Sequence, residues 1–200
     1  QLAREHKLLE ALAGPLAHES IAIPRYRYFV REPIEFALAY VGYPMLRGDA
    51  LIDCPRGAID AIEIGRQLGD FLRRLHAAAP TRAPRIYHDT FPSDLVEFRR
   101  EFAQAKAALP AAIAAACERL LAQAPSPDPG PPLYQHGDLG AEHILVDRSG
   151  NQITAIIDWG DAGWGNSIAD LVGLWAWGGD AAVSAALPLR EHTLSRAKWA

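Results

Sequence analysis

Apolar residues recur at helical spacing at the beginning of the chain and again over residues 60–78. The first group consists of leucines separated by charged residues, which predicts an amphipathic helix that ends at Gly14 and Pro15. The second group predicts a longer helix with one wide apolar face. That predicted face consists of Ile62, Ile64, Leu68, Phe71, Leu72 and Leu75.

Three further segments have helical patterns. Residues 94–108 and 111–124 predict two helices separated by Pro110, and residues 168–177 predict an apolar helix. The segments between and after these helices contain prolines that end regular structure. They are a loop over residues 80–92, a proline-rich loop over 125–132, and a tail over 180–200 that is helical in tendency but broken at Pro188.

Alternating apolar and polar residues predict two strands after the first helix. Over residues 25–31, Tyr26, Tyr28 and Val30 alternate with arginines, and residues 35–42 form a second, largely buried strand. A turn over residues 31–33 would let these strands pair. The irregular segment 43–48 contains Pro44 and Gly48, which indicates a boundary between a lobe of residues 1–43 and a helical lobe of residues 44–200.

Two short β-branched runs near residue 150 predict a hairpin that organises the rest of the chain. Residues 144–146 are apolar, residues 153–157 are apolar except for Thr154, and the intervening segment 147–151 has turn chemistry. Asp138 and His143 precede the first run, and Asp158 follows the second. Because a hairpin brings its outer ends together, these three side chains are expected to converge. Acidic side chains that meet beside glycines indicate a site for a metal ion and an anion.

Composition narrows the class of protein. The chain has 200 residues, half of them apolar, and a net charge of −4 without a basic stripe, which argues against nucleic acid as a partner. Cys54 and Cys117 are far apart in sequence and lack metal-ligand spacing, which favours a reduced, cytoplasmic protein. No apolar run is long enough for a membrane-spanning helix, and no signal-peptide pattern is present.

Each candidate residue has a structural alternative beside its chemical role. Asp138 could accept the proton of an attacking hydroxyl, or serve as a turn residue. His143 could bind a metal, or be a hydrogen-bonded loop histidine. Asp158 emerges directly from a core strand, where a carboxylate needs a partner or a cation. Asp161 suits a turn, and Asp170 on its apolar helix needs donors, for which backbone N–H groups of the Asp138 loop are the natural candidates.

The spacing of these residues matches that of the catalytic residues of kinases, which carry out phosphoryl transfer. The kinase arrangement begins with an aspartate in a loop, which a metal-ligand position follows. After these come a hairpin and then an aspartate that is followed by an aromatic residue and a glycine. The motifs His136-Gly137-Asp138-Leu139 and Asp158-Trp159-Gly160-Asp161 together resemble the aminoglycoside phosphotransferase family, which consists of small-molecule kinases with a protein-kinase-like fold. The resemblance implies an α+β chain with Asp138 as the catalytic group.

The resemblance also implies the nucleotide and metal sites. Glu5 is similar to the glutamate that pairs with the phosphate-binding lysine, and the segment 41–48 resembles the hinge that holds the nucleotide base, with Tyr43 and Met45 as its binding positions. His143 and Asp158 would bind Mg²⁺, with a water-mediated contact to the imidazole because magnesium prefers oxygen. ATP or GTP would be the phosphate donor.

The sequence departs from the family pattern in two ways. His143 occupies a position that is usually asparagine, which resembles the branches that phosphorylate aminoglycosides at the 2″ hydroxyl and those that phosphorylate macrolides. No glycine-rich phosphate loop and no strand lysine precede Glu5. The N-terminal lobe is therefore expected to be a truncated remnant of one helix and two strands, which would be a poor catalyst if the protein began at Gln1.

The sequence is compatible with several functions. The leading one is an O-phosphotransferase acting on an aminoglycoside, with a macrolide or metabolite kinase, or a nucleotide-binding module without catalysis, as alternatives. A metallohydrolase is a further alternative, because His136 could join the three converging residues in a zinc or iron site. Acidic residues could attract a cationic acceptor, whereas tryptophans could suit a macrolide. The acidic residues are Asp89, Asp94, Glu97 and Glu101, and the tryptophans are Trp175, Trp177 and Trp199.

Overall fold

A computed structural model describes most of the chain. The described residues are 2–16, 20–30, 38–55, 57, 59–78, 87–88, 90–123, 133–165 and 168–186. The predicted turn over 31–33, the proline-rich loop over 125–132, Asp89, the tail beyond residue 186 and Trp199 lie outside them.

Within these residues the chain forms five α-helices and eight short strands. The helices are α1 (Leu2–Ala13), α2 (Ala61–Ala78), α3 (Thr90–Ala105), α4 (Ala111–Ala122) and α5 (Ala169–Ala186). The strands are β1 (Tyr28–Val30), β2 (Tyr40–Gly42), β3 (Asp49–Ala50), β4 (Tyr87–His88), β5 (Leu133–Gln135), β6 (Ile144–Val146), β7 (Ile153–Ile156) and β8 (Gly163–Gly165). This mixture of helices and small sheets confirms the α+β expectation.

The strands form three small sheets. β1 pairs antiparallel with β2, as the sequence predicts. The hairpin of β6 and β7 is extended by β3, and all pairs in that sheet are antiparallel. The third sheet has the order β4-β8-β5, with β4 parallel and β5 antiparallel to β8. This third sheet was not predicted, because its strands have only two or three residues each.

The predicted hairpin turn is held by one side chain. The Asp147 carboxylate accepts hydrogen bonds from the Ser149 hydroxyl at 2.8 Å and from the backbone N–H groups of Asn151 and Gln152 at 3.2 and 3.3 Å. An aspartate that bonds its own following backbone stabilises a turn. The Gln67 side chain of α2 then fixes the hairpin, because its amide donates to the Asn151 carbonyl at 2.8 Å and its oxygen accepts from Ile153 N–H at 2.9 Å.

The core lies between α2, α5 and the hairpin, with the leucine face of α1 on its edge. Gly65 and Gly69 of α2 face the backbone of Ala182 and Ala186 in α5, so a methyl group at either glycine would collide with a carbonyl. These small residues allow the two helices to approach closely. The buried side chains of α2 and the hairpin strands are Ile64, Leu68, Phe71, Leu72, Leu75, Ile144, Val146, Ile153, Ala155 and Ile156.

The structure corrects three predictions. Residues 38–42 are not largely buried, since Leu38 is 79% exposed and Tyr40 also lies at the surface of a two-stranded sheet that is open to solvent. Helix α3 begins at Thr90, four residues earlier than predicted, and ends at Ala105, followed by one 3₁₀ turn. Ile62 was assigned to the inner face of α2, but it lies in the first turn of the helix and is exposed.

Helix α5 joins two predicted segments. Its α-helical geometry is interrupted at Gly179, where φ is 65°. The Trp175 indole N–H donates to the Asp180 carboxylate at 2.9 Å across this break. The two cysteines are free thiols. None of the helices in the described part of the chain is both long and apolar enough to cross a membrane.

Candidate active site

The three residues at the open end of the hairpin converge as predicted. The His143 ring lies between the two aspartates, with Nδ1 at 3.9 Å from the Asp138 carboxylate and Nε2 at 3.6 Å from the Asp158 carboxylate. The backbone of His143 also accepts a hydrogen bond from Ile157 N–H at 3.0 Å, which ties the two ends of the hairpin together. The side chains of Asp138 and Asp158 are 57% and 59% exposed, so both carboxylates are accessible to a ligand.

The tautomer of His143 follows from one hydrogen bond. Its Nδ1 lies 2.7 Å from the backbone carbonyl of Asp138, and a carbonyl oxygen can only accept, so Nδ1 carries the proton. In the neutral ring, the lone pair of Nε2 then faces the Asp158 carboxylate. His143 Nε2 and the Asp158 carboxylate oxygen are two electron-rich atoms 3.6 Å apart, and such a pair favours a positive charge between them. This is the arrangement expected of a cation site.

Asp158 has an unusual backbone. Its φ of 62° makes it the one non-glycine residue with positive φ in the described part of the chain. An L-residue in this left-handed region costs about 1–2 kcal/mol. The next residue, Trp159, is fully buried, and its indole N–H donates to the Ile156 carbonyl at 3.0 Å. The tight loop after the hairpin therefore directs the Asp158 carboxylate outward while the following side chain enters the core.

The loop that carries Asp138 is held from below by Asp170. The Asp170 carboxylate is fully buried and accepts hydrogen bonds at 2.9 Å from His136 N–H and from Gly137 N–H. Burial raises the pKa of Asp170 to about 6, although these two hydrogen bonds oppose the increase. Gly137 has a φ of 88° and approaches the Asp161 carbonyl so closely that only glycine fits. The predicted partners of Asp170 are confirmed.

Removal of the Asp170 carboxylate is expected to unfold the loop. Asp170→Leu leaves two buried N–H groups without acceptors, each of which costs about 1–3 kcal/mol, so the free energy of unfolding is expected to fall by about 2–6 kcal/mol. Asp170→Asn keeps one acceptor oxygen and is expected to lose less. Denaturant unfolding of both variants tests this, and an Asp170→Leu protein within about 0.5 kcal/mol of wild type would contradict the bracing role.

His136 is not available as a metal ligand, which corrects one alternative. The ring is buried, its Nε2 donates to the Ile157 carbonyl at 3.0 Å, and its Nδ1 accepts from Asp138 N–H at 3.4 Å. Burial lowers the pKa of His136 to about 4, so the ring is neutral. Within the described residues, no three or more His, Cys, Asp or Glu side chains form a set that could hold a metal ion. The four-residue zinc or iron site is therefore wrong.

The residues expected to bind the nucleotide lie on the side of α1 and β2. Glu5 is only 8% exposed, and it accepts a hydrogen bond from the Tyr26 hydroxyl. The Tyr26 ring stacks on Tyr43 at 5.5 Å between centroids. Burial raises the pKa of Tyr43, and the negative charges of Glu5 and Asp158 raise it further, which indicates that all three groups face one region. Met45 lies beyond Tyr43 and is 91% exposed.

The residues considered for acceptor binding have different surroundings in the structure. Glu97 forms an ion pair with Arg100 at 2.8 Å, so its charge is partly compensated, whereas Glu101 is exposed. Trp175 and Trp177 pack against the core. The side chain of Asp94 lies outside the described residues.

Fold and site together define a kinase-like α+β protein in which a hairpin presents two aspartates and a histidine. The chain belongs to the phosphotransferase enzyme family APH, whose model matches residues 1–199. This confirms the family that the sequence motifs indicate. No curated protein sequence matches the chain.

Solved structures share the fold. The GDP complex of wild-type aminoglycoside 2'-phosphotransferase-IIIa superimposes with a TM-score of 0.78 at 20% identity, covering 98% of this chain and 69% of that one. The GDP and kanamycin complex of APH(2")-IIia gives 0.73 at 22% identity, with the same coverage of 98% and 69%. The macrolide 2'-phosphotransferase MphH from Brachybacterium faecium gives 0.59 at 23% identity, covering 98% and 65%. The protein-kinase-like fold expected from the sequence is confirmed.

Proposed function

We propose that this protein transfers the γ-phosphate of ATP or GTP to a hydroxyl group of a small molecule, with an aminoglycoside as the first candidate. The observation that carries the proposal is the convergence of two exposed carboxylates, those of Asp138 and Asp158, on opposite sides of the His143 ring. Phosphoryl transfer needs one carboxylate beside the attacking hydroxyl and another beside the phosphates, close together but with separate tasks.

Asp138 is the group that receives the acceptor hydroxyl. Its backbone is fixed, because its carbonyl accepts from His143 Nδ1 at 2.7 Å and from Gly140 N–H at 3.2 Å, while its side chain stays exposed. During transfer, the hydroxyl oxygen forms a bond to the γ-phosphorus and the bond between that phosphorus and the β-γ bridging oxygen breaks. The hydroxyl proton passes to the Asp138 carboxylate, and the nucleoside diphosphate leaves.

Asp158 and His143 fit a magnesium site of the kinase type. Mg²⁺ usually binds to one or two carboxylates and completes its shell with water and substrate phosphates, so a small protein ligand set is sufficient. The Asp158 carboxylate provides the oxygen ligand, and the lone pair of His143 Nε2 is oriented to accept a hydrogen bond from a water in that shell. When bound, the metal ion neutralises charge on the phosphates.

Glu5, Tyr43 and Met45 are the proposed nucleotide side of the site. The common electrostatic influence of Glu5 and Asp158 on Tyr43 supports this, because it connects α1 and β2 with the metal position. Two of the similar structures are GDP complexes, which supports testing GTP beside ATP.

The acceptor class is proposed from the charge of the protein and from one similar structure. The net charge of −4 and the exposed Glu101 favour a cationic acceptor such as an aminoglycoside, and one similar structure contains kanamycin. A macrolide or a metabolite remains the alternative. A cytoplasmic location, suggested by the free thiols, is part of the proposal.

A transfer assay with the intact protein tests the function. Phosphate transfer from ATP and from GTP would be followed separately, with Mg²⁺, across aminoglycosides and macrolides. Transfer to an aminoglycoside supports the proposal as stated. Transfer to a macrolide would replace the acceptor class, nucleotide binding without transfer to either class would indicate another metabolite or a non-catalytic module, and an absence of nucleotide binding would refute the proposal.

His143→Asn is expected to retain activity within about tenfold of wild type, because an amide at about the same place can bind the metal ion or a water molecule bound to it. The Asn amide nitrogen can also donate to the Asp138 carbonyl as Nδ1 does. Measurement of kcat over a range of Mg²⁺ concentrations tests this. Complete loss at saturating Mg²⁺ would mean that the imidazole has a specific chemical role.

A further inference from the structure

One side chain connects the first helix to the loop that follows the hairpin. The Arg4 guanidinium donates a hydrogen bond to the backbone carbonyl of Gly160, a residue 156 positions away in sequence. Arg4 precedes Glu5 on α1, and Gly160 follows Asp158 by two residues. A charged donor on a partly buried carbonyl forms one of the stronger hydrogen bonds in proteins, so this contact joins the two segments firmly.

The accepting carbonyl belongs to the loop with the strained aspartate. Asp158 adopts a φ of 62°, which only a surrounding structure can maintain in a non-glycine residue. On the hairpin side, the buried Trp159 fixes this loop through its indole hydrogen bond to Ile156. On the other side, Ala162 N–H donates to the Trp159 carbonyl at 3.2 Å and closes a turn around Gly160. Arg4 brings a side-chain hydrogen bond to this turn from helix α1.

A second observation places the Arg4 charge near the strand that leads into the Asp138 loop. Tyr134 on β5 is fully buried, and burial raises its pKa, while the positive charge of Arg4 acts in the opposite direction. In the described part of the chain, the Tyr134 hydroxyl has no hydrogen-bond partner. The guanidinium therefore binds the loop of Asp158 and acts electrostatically on the strand that precedes His136, Gly137 and Asp138.

We propose that Arg4 is a positioning residue that keeps Asp158 in its left-handed conformation through the Gly160 carbonyl. The inference rests on the proposed function for its catalytic consequence, but its conformational part is independent of activity. Because Arg4 and Glu5 are neighbours on one rigid helix, the same contact couples the position of Glu5 to the direction of the Asp158 carboxylate. A shift of α1 would disturb the metal position and the Glu5 position together.

Three variants separate this role from general stabilisation. Arg4→Met keeps most of the apolar stem but removes the donors. Arg4→Lys keeps the charge and a donor. Lys7→Met is the matched control, because it removes a positive charge from the exposed face of the same helix.

Hydrogen exchange measured by mass spectrometry gives the readout that does not need activity. In Arg4→Met, amides of residues 158–163 are expected to exchange about tenfold or more faster, which corresponds to the loss of one charge-assisted hydrogen bond. Exchange in the hairpin, residues 144–157, is expected to remain at the wild-type rate. Arg4→Lys is expected to restore most of the protection, and Lys7→Met to behave as wild type.

Kinetics supply the second readout. If the protein has the proposed activity, Arg4→Met is expected to lower kcat about tenfold or more and to raise the Mg²⁺ concentration needed for half-maximal rate, with KM for the acceptor nearly unchanged. Unchanged exchange over residues 158–163 in Arg4→Met would overturn the proposal. Equal acceleration of exchange along the hairpin and the loop would also overturn it, since that result indicates only lost stability. Absence of nucleotide binding by the wild-type protein would refute the proposed function, and the exchange comparison would still decide the role of Arg4.

Discussion

Asp138→Asn is expected to lower kcat for phosphate transfer by a factor of about 10²–10⁴, the usual contribution of a positioned general base. The asparagine side chain has nearly the same shape but cannot accept the hydroxyl proton as a carboxylate does. Nucleotide affinity is expected to stay close to that of wild type, because Asp138 faces the acceptor rather than the donor. Steady-state kinetics and calorimetric nucleotide binding measure the two effects separately.

The control for this substitution is Asp53→Asn, which removes the same charge from an exposed residue in a different segment. It is expected to leave kcat unchanged. Activity of Asp138→Asn within about tenfold of wild type would contradict its assignment as the base. A large loss of nucleotide affinity would contradict the assignment of Asp138 to the acceptor side.

Replacement of Asp158 is expected to have a comparably large effect on activity, together with a diagnostic effect on stability. Loss of the carboxylate in Asp158→Asn or Asp158→Ala is expected to lower kcat at least about 10²-fold, because loss of a direct ligand exceeds the 10–100-fold typical of its supporting groups. Asparagine adopts positive φ more readily than alanine. Asp158→Ala is therefore expected to be about 1 kcal/mol less stable than Asp158→Asn, although both variants are expected to lose activity.

Denaturant unfolding and Mg²⁺-dependent kinetics test these two parts. Equal stability of the asparagine and alanine variants would mean that the φ of 62° does not constrain this position. Activity of Asp158→Asn within about tenfold of wild type would mean that the cation lies elsewhere.

Local patterns were sufficient to predict the hairpin and the convergence at its open end. The turn residues from Asp147 to Asn151 are recognisable because their side chains bond their own backbone, as Asp147 does. Once the hairpin is predicted correctly, its two outer ends lie side by side and bring Asp138, His143 and Asp158 together. Asp170 was also predictable, because a charge on an apolar helix needs donors and backbone N–H groups are the available ones.

Other features depend on contacts between distant segments and left no local signal. The β4-β8-β5 sheet forms from strands of two or three residues, whose pairing is decided by the surrounding packing rather than by their own alternation. Arg4 is one of the charged residues between the leucines of the first helix pattern, and its place beside Glu5 says nothing about Gly160. The positive φ of Asp158 could not be predicted from the sequence either, since an aspartate does not indicate this conformation as a glycine does.

The burial of residues 35–42 was predicted wrongly over the described part for a related reason. An apolar run predicts a buried strand when another layer covers it. Within the described residues, the sheet of β1 and β2 has two strands, and Leu38 and Tyr40 are exposed. The roles of Glu5, Tyr43 and Met45, the division at residues 43 and 44, and the metal roles of His143 and Asp158 stay predictions.

The central claim is that the hairpin site moves a nucleotide γ-phosphate to an acceptor hydroxyl by means of Asp138. The most direct test is ³¹P NMR of the intact protein with Mg²⁺, a nucleoside triphosphate and an aminoglycoside, run beside the Asp138→Asn variant. A phosphate monoester resonance is expected to grow together with nucleoside diphosphate in the wild-type protein and to be nearly absent in the variant. Nucleoside diphosphate with only inorganic phosphate, or equal monoester formation by both proteins, would contradict it.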